Sequence, residues 1–209
     1  MYSNIVSCVA AALCQLFMAC SVRSNSLPSS SFPQGASHIF SVSKQLIKEA
    51  LPIQCVEAVF LGAHLTAAMS GLERVPLSFK TKFAHGTVHR HIVLAVRYQG
   101  WWGALGVSRR ASLMNKPLRF ASLAELVEEY RTSYEDCHHK LLTVYVGLPL
   151  PHNQFLDQPV KWRATKVRAY SHAPEEVSAK ISKFAANMTR MNEHFLREGV
   201  LPGAASVRR

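Results

Sequence analysis

The chain has 209 residues, 48% hydrophobic and 18% charged, with 10 Gly and 10 Pro. That is enough apolar material for one buried core, and it excludes wholesale disorder, collagen-like sequence and low-complexity sequence. Its 24 Lys+Arg against 13 Asp+Glu give a net charge of +11, which points to an acidic partner: nucleic acid, an anionic membrane or an acidic peptide.

Residues 1–22 carry no charge. The apolar run from Ile5 to Ala19 is shorter than the about 20 residues a membrane span needs, and it lacks the basic start of a signal peptide. It is expected to be a buried or partner-facing helix, with a signal segment, given the small residues near Ala19 and Ser21, as the alternative. Ser24 to Ser37, rich in Ser and Pro, reads as a linker. Ser41 to Ala50 reads as a short helix with Val42, Leu46 and Ile47 on one face. A second helix should start at about Pro52, since Pro suits a first turn. It carries Cys55, Val59, Ala63 and Thr66 at helical spacing, and Gly71 is its expected stop.

Strand-like segments follow at Ser78 to Phe83, Arg90 to Tyr98 and Trp101 to Val107, the last two joined by the tight-turn pair Gln99-Gly100. Ser122 with Glu125 forms a capping box opening a helix whose positions Leu123, Leu126, Val127, Tyr130, Tyr134 and Cys137 keep a 3.6 period. Leu141 to Leu148 and Val160 to Ala169 read as strands. Pro174 opens a last helix with Val177, Ile181, Phe184, Met188 and Phe195 on one face, ending near Gly199. The expected architecture is α+β with an antiparallel sheet. It divides into an apolar N-terminal segment and linker (1–40), a central domain (41–170), which the residues below mark as the candidate catalytic domain, and a C-terminal helix with a basic tail (171–209).

The five cysteines, at 8, 14, 20, 55 and 137, form no CxxC pair and no zinc-ligand spacing; a reducing compartment follows. Cys55 differs from the others because it falls in the first turn of a helix, where unpaired N–H groups and the helix dipole are expected to favour a thiolate. A nucleophile needs a base. His91 opens the apolar strand His91-Ile-Val-Leu-Ala-Val96, with His85 and His89 as competitors. If Gln99-Gly100 is a two-residue loop, paired residue numbers sum to 199 and His91 falls opposite Ser108, whose hydroxyl or carbonyl would orient the imidazole. Arg109 and Arg110 come next. One of the two should share a face with the site, and a guanidinium beside a cysteine nucleophile suits a substrate ending in a free carboxylate.

Between Glu73 and Glu125 there is no acidic residue, while Arg74, Lys80, Lys82, Arg90, Arg97, Arg109, Arg110, Lys116 and Arg119 fall in the interval. This reads as a surface that holds an anion, against the plainer reading of a solvated basic face.

Several consecutive motifs carry a resemblance: Glu49-Ala-Leu-Pro-Ile-Gln-Cys-Val-Glu-Ala-Val59, Leu72-Glu-Arg74, Ser78-Phe-Lys-Thr81, Arg90-His-Ile-Val-Leu94, Gly103-Ala-Leu-Gly-Val-Ser-Arg-Arg110, Leu113-Met-Asn-Lys-Pro117 and Ser122-Leu-Ala-Glu-Leu-Val127. In these the chain resembles the vasohibin family of transglutaminase-like cysteine peptidases. The resemblance implies a helix bearing the nucleophile packed on an antiparallel sheet. It also implies a tubulin tyrosine carboxypeptidase with the triad Cys55, His91 and Ser108 and Arg109 as carboxylate anchor, and it implies no cofactor. Lys80 and Arg110 are the further expected substrate contacts. The expected partners are the α-tubulin tail, microtubules and a small vasohibin-binding protein, in a cytoplasmic, cytoskeletal location; neither nucleic acid nor membrane is expected.

The chain departs from the family pattern in three places. Gln54 stands where a basic residue is expected, the first 40 residues do not follow the family, and Trp101-Trp102 makes an unusually aromatic hairpin tip. The competing reading is a non-catalytic polyanion binder whose bases hold nucleic acid or an acidic tail, with Tyr98, Trp101 and Trp102 stacking on bases. A relative whose catalysis has lapsed is the third.

Overall fold

The computed structural model describes residues 2–19, 35–51, 53–155 and 157–202. Pro52, Cys20 and the Ser/Pro segment before Gly35 lie outside the described residues. The chain runs through α1 (Tyr2–Ala19), α2 (Ala36–Glu49), α3 (Cys55–Leu65), β1 (Glu73–Phe83), β2 (Val88–Tyr98), β3 (Trp101–Leu105), β4 (Lys116–Phe120), α4 (Leu123–Asp136), β5 (His139–Val146), β6 (Thr165–Val167) and α5 (Pro174–Glu198). The strands form one sheet in the order β4-β3-β2-β1-β5-β6, every neighbouring pair antiparallel. The architecture is therefore α+β.

Alternation along the central strands sorts side chains to two cores. Val75, Leu77, Phe79, Val93 and Ala95 face α4 and α5. Ile92, Leu94 and Val96 face the other way, with Leu105, onto Ala58, Val59 and Leu61 of α3, with α1 and α2 packed behind. The helix carrying Cys55 thus lies on the sheet.

The Gln99-Gly100 turn forms as read. Both residues have positive φ (48° and 87°), and Tyr98↔Trp101 through Leu94↔Leu105 keep the expected register. The ladder ends there, because the chain leaves the sheet at Gly106. A Cβ at Gly106 would stand 2.6 Å from Val93 Cγ1, so only glycine lets the segment cross so close to β2.

Other expectations shift. β1 begins at Glu73, earlier than expected, and β4 went unread. The expected strand Val160 to Ala169 is only β6, although Val160 and Trp162 are buried. Ile47 is 47% exposed, because the inward face of α2 is Ala36, Ile39, Phe40, Ser43 and Leu46. α3 stops at Leu65 instead of Gly71, because Thr66 Oγ1 donates to the Gly62 carbonyl (2.6 Å) and Arg74 takes the Ala63 carbonyl (2.7 Å). The Ser122–Glu125 box is half reciprocal. Glu125 N–H donates to Ser122 Oγ (3.1 Å), but the Glu125 carboxylate accepts from Ala121 N–H (2.8 Å). Among the described residues no helix is long and apolar enough to cross a membrane.

Candidate active site

α3 presents Cys55 at its first position. Glu57, in the same turn, accepts the Gln54 N–H at 3.0 Å, so Gln54 serves to close the helix start. The N–H groups of Ile92, Cys55 and Val56 act on the Cys55 thiol in favour of a thiolate. Burial outweighs them, and the Glu57 carboxylate acts with burial, so the thiol titrates above its ordinary range. This corrects the sequence reading. A helix start is not enough to ionise a cysteine that the fold also desolvates, and the resting group is a thiol.

Ile92 directly follows His91 on β2, so the thiol of Cys55 feels the main chain of the histidine strand. His91 lies opposite Phe79 of β1, whose ring packs on Tyr130 and Tyr134 of α4. Its Nε2 meets the Leu113 carbonyl at 3.0 Å. A carbonyl only accepts, so the ring proton sits on Nε2 and the Nδ1 lone pair is left for use as a base. Burial pushes the His91 pKa below the ordinary histidine value, and the Leu113 carbonyl offsets part of this. The imidazole is neutral at pH 7.

The register arithmetic extended to His91 and Ser108 meets the end of the ladder at Leu94↔Leu105. Ser108 Oγ instead accepts the Arg110 N–H at 3.2 Å, and the bond made by the His91 ring is to Leu113. Leu113 was missed because its contribution is a backbone carbonyl, which no side-chain pattern reports. His85 and His89 are exposed and belong to a ring stack of their own strand ends, which reaches Tyr134 through His139 (6.3 Å): His89 packs edge-on to His139 at 4.9 Å, and Phe83 meets both His139 and His85.

The run of nine bases divides. Arg74 is fully buried, bonded to the Ala63 and Leu150 carbonyls. Lys116 is buried and paired with Glu129 at 2.8 Å. Arg97 pairs with Glu73 and Arg119 with Glu129. These four are structural or neutralised, which corrects the reading of one continuous anion-binding surface. Among the described residues, Lys80, Lys82, Arg90, Arg109 and Arg110 form no ion pair. Lys80 stands opposite Arg90 across β1 and β2, and Lys82 stands opposite Lys140 of β5. Directly opposed like charges destabilise a sheet, so this array is better suited to an anion than to the free protein. Arg109 and Arg110 are both exposed, and the charge of Arg110 reaches His139. Of the three aromatic residues expected to stack on bases, Trp102 is buried in the core. Among the described residues no cluster of His, Cys, Asp or Glu could hold a metal ion.

The sequence model of the vasohibin family matches residues 33–189. Tubulinyl-Tyr carboxypeptidase 1 of Mus musculus is 41% identical over 150 residues, covering 72% of this chain and 40% of that relative. The chain therefore spans about two fifths of the length of the relative it matches.

Proposed function

The chain belongs to the vasohibin family, and we propose that it is a cysteine carboxypeptidase that removes the C-terminal tyrosine of α-tubulin. What supports this reading is a cysteine at the first position of α3 whose thiol feels the Ile92 N–H, and, next to Ile92 in the chain, a histidine whose ring meets the Leu113 carbonyl. The name of the mouse relative supplies the substrate. A nucleophile helix on an antiparallel sheet, with the base on a sheet strand, fits the transglutaminase-like cysteine peptidase fold.

Because both groups rest uncharged, the chemistry runs by general-base transfer rather than from a preformed ion pair. Nδ1 of His91 takes the thiol proton as Sγ attacks the carbonyl carbon of the last peptide bond. The oxyanion is held by N–H groups at the start of α3. The C–N bond breaks, the imidazolium returns its proton to the departing tyrosine amine, and a thioester remains. Water, deprotonated by the same imidazole, releases the shortened tail. Ser108 supports the loop that carries Arg109 and Arg110. Arg109 holds the terminal carboxylate, and Lys80, Arg110 and the like-charged pairs of the sheet meet the acidic side chains behind it. The setting is cytoplasmic and microtubule-associated, with a small vasohibin-binding protein as a further partner.

The test is mass spectrometry of α-tubulin tails after incubation with the wild-type chain and with Cys55→Ala. The expected result is loss of the terminal tyrosine with the wild type alone. Tails that bind in a salt-sensitive way but keep their mass would overturn the enzyme and favour the polyanion-binding reading.

A further inference from the structure

The carbonyl that orients His91 belongs to a short loop between β3 and β4, and the rest of that loop is tied down from α4. Leu113 ends a 3-10 turn (Ala111–Leu113), with its N–H bonded to the Arg110 carbonyl at 3.0 Å and its side chain buried. The next carbonyl along, Met114, accepts the hydroxyl of Tyr130 at 2.6 Å. Tyr130 is itself fully buried. Its ring is fixed by Phe79, centroids 4.9 Å apart, and by the Lys116 ammonium 5.3 Å over its face. Lys116 is held in turn by Glu129 (2.8 Å) and Ser133 (3.1 Å). Phe79 is the residue directly opposite His91. One ring therefore touches the strand neighbour of the histidine and also grips the peptide next to the carbonyl that the histidine uses.

We propose that Tyr130 is a positioning residue: by holding the Met114 carbonyl, its hydroxyl fixes the adjoining Leu113 carbonyl against Nε2 of His91, and so fixes the ring orientation and tautomer. The proposal rests on the reading of Cys55 and His91 as nucleophile and base. A backbone carbonyl can serve as the third member of such a site only if its peptide cannot rotate, since small misplacements of a reacting group are expensive in rate. A hydrogen bond to the next peptide restrains that rotation without occupying the carbonyl needed for the histidine.

The variant is Tyr130→Phe, which keeps the ring and its contacts and removes only the hydroxyl. The expected result is a kcat lower by up to about a hundred-fold with KM unchanged, and an acid limb of the kcat profile displaced to lower pH. The displacement follows because the Leu113 carbonyl raises the basicity of His91, opposing burial. The other ionisable groups on the elements around His91 are Cys55 of α3, Lys80 of β1, His89 and Arg90 of β2, Arg109 and Arg110 of the loop, Lys116 of β4, Glu129 and Tyr134 of α4, Cys137 just beyond α4 and His139 of β5, and all are retained in the variant. A loss of folded protein would scale the profile without moving its limb.

The second measurement needs no activity. Nitrogen-15 NMR of the imidazole should show His91 protonated at Nε2 in the wild type and mixed between Nε2 and Nδ1 in Tyr130→Phe. If the variant keeps the wild-type tautomer and limb, the positioning role is wrong while the peptidase reading stands. If Cys55→Ala remains active, the peptidase reading falls, and the NMR result still decides whether Tyr130 orients the ring.

Discussion

Arg74 is a charge with no exposed surface, and its replacement gives a prediction whose size follows from the geometry. The guanidinium is fully buried and has two acceptors, the Ala63 carbonyl at 2.7 Å and the Leu150 carbonyl at 3.2 Å. Burial alone pushes its pKa down to about 10, a penalty for the charged form of about 3 kcal/mol at neutral pH. Two hydrogen bonds from a charged donor, at roughly 1.5–3 kcal/mol each, offset that penalty. Arg74→Met removes the penalty and both bonds. It leaves the Ala63 and Leu150 carbonyls without this donor, at roughly 1–3 kcal/mol each. The net loss should be at least about 2 kcal/mol, a fall in Tm of at least about 4–8 °C for a chain of this size. Arg74→Lys should be nearly as damaging, since one ammonium cannot span two carbonyls in fork geometry. The assay is urea and thermal denaturation of the three proteins. A Met variant within about 0.5 kcal/mol of wild type would refute the argument that this cation holds the end of α3.

The remaining expectations are shorter. Cys55→Ala should abolish tyrosine release while leaving Tm unchanged, and residual activity above background would remove the nucleophile. His91→Ala should be nearly as severe in the same peptide assay, with His85→Ala and His89→Ala close to wild type and Ser108→Ala mild, since the ring bonds to a Leu113 carbonyl; equal losses at all three histidines would remove the assignment. Arg109→Ala should lower kcat/KM by about ten- to a hundred-fold and erase the preference for acid over C-terminally amidated peptides; a wild type that cleaves the amide equally well would show that Arg109 anchors no carboxylate. Iodoacetamide should label the desolvated Cys55 more slowly than the exposed Cys8, as peptide mapping would show. Burial holds His64, His91, His139 and His152 below the ordinary histidine pKa. The unfolded chain therefore binds more protons below about pH 6.5, and the urea midpoint should fall as pH drops from 7 to 5.

Periodic features were legible because side chains alone decide them. The apolar faces of α4 and α5, the Gln99-Gly100 turn and the inward positions Val59 and Ala63 of α3 can all be counted off the sequence. Features set by distant chain were not. α3 ends early because Arg74, from the next strand, takes the Ala63 carbonyl in its last turn. β4 is short and contains Pro117, so neither propensity nor alternation marks it. At the proposed site, residue types singled out Cys55 and His91 as candidates, whereas the acceptor for the imidazole is main chain and has no signature. The charge run misled because composition does not separate a buried arginine such as Arg74 from an exposed one such as Arg109.

The grip of Arg74 on Ala63 also bears on which length changes the chain can tolerate. With its carboxyl end fastened to β1, α3 acts as a ruler from that anchor back to Cys55. Deleting one residue inside α3 would turn Cys55 by about 100° and withdraw it by about 1.5 Å, taking the thiol away from the Ile92 N–H whatever the rest of the fold did. Insertions between Ala84 and Thr87, where β1 turns back into β2 and every residue is exposed, leave both the anchor and the Phe79↔His91 register untouched. Length variation among homologues should therefore collect in that turn and be absent between Cys55 and Ala63.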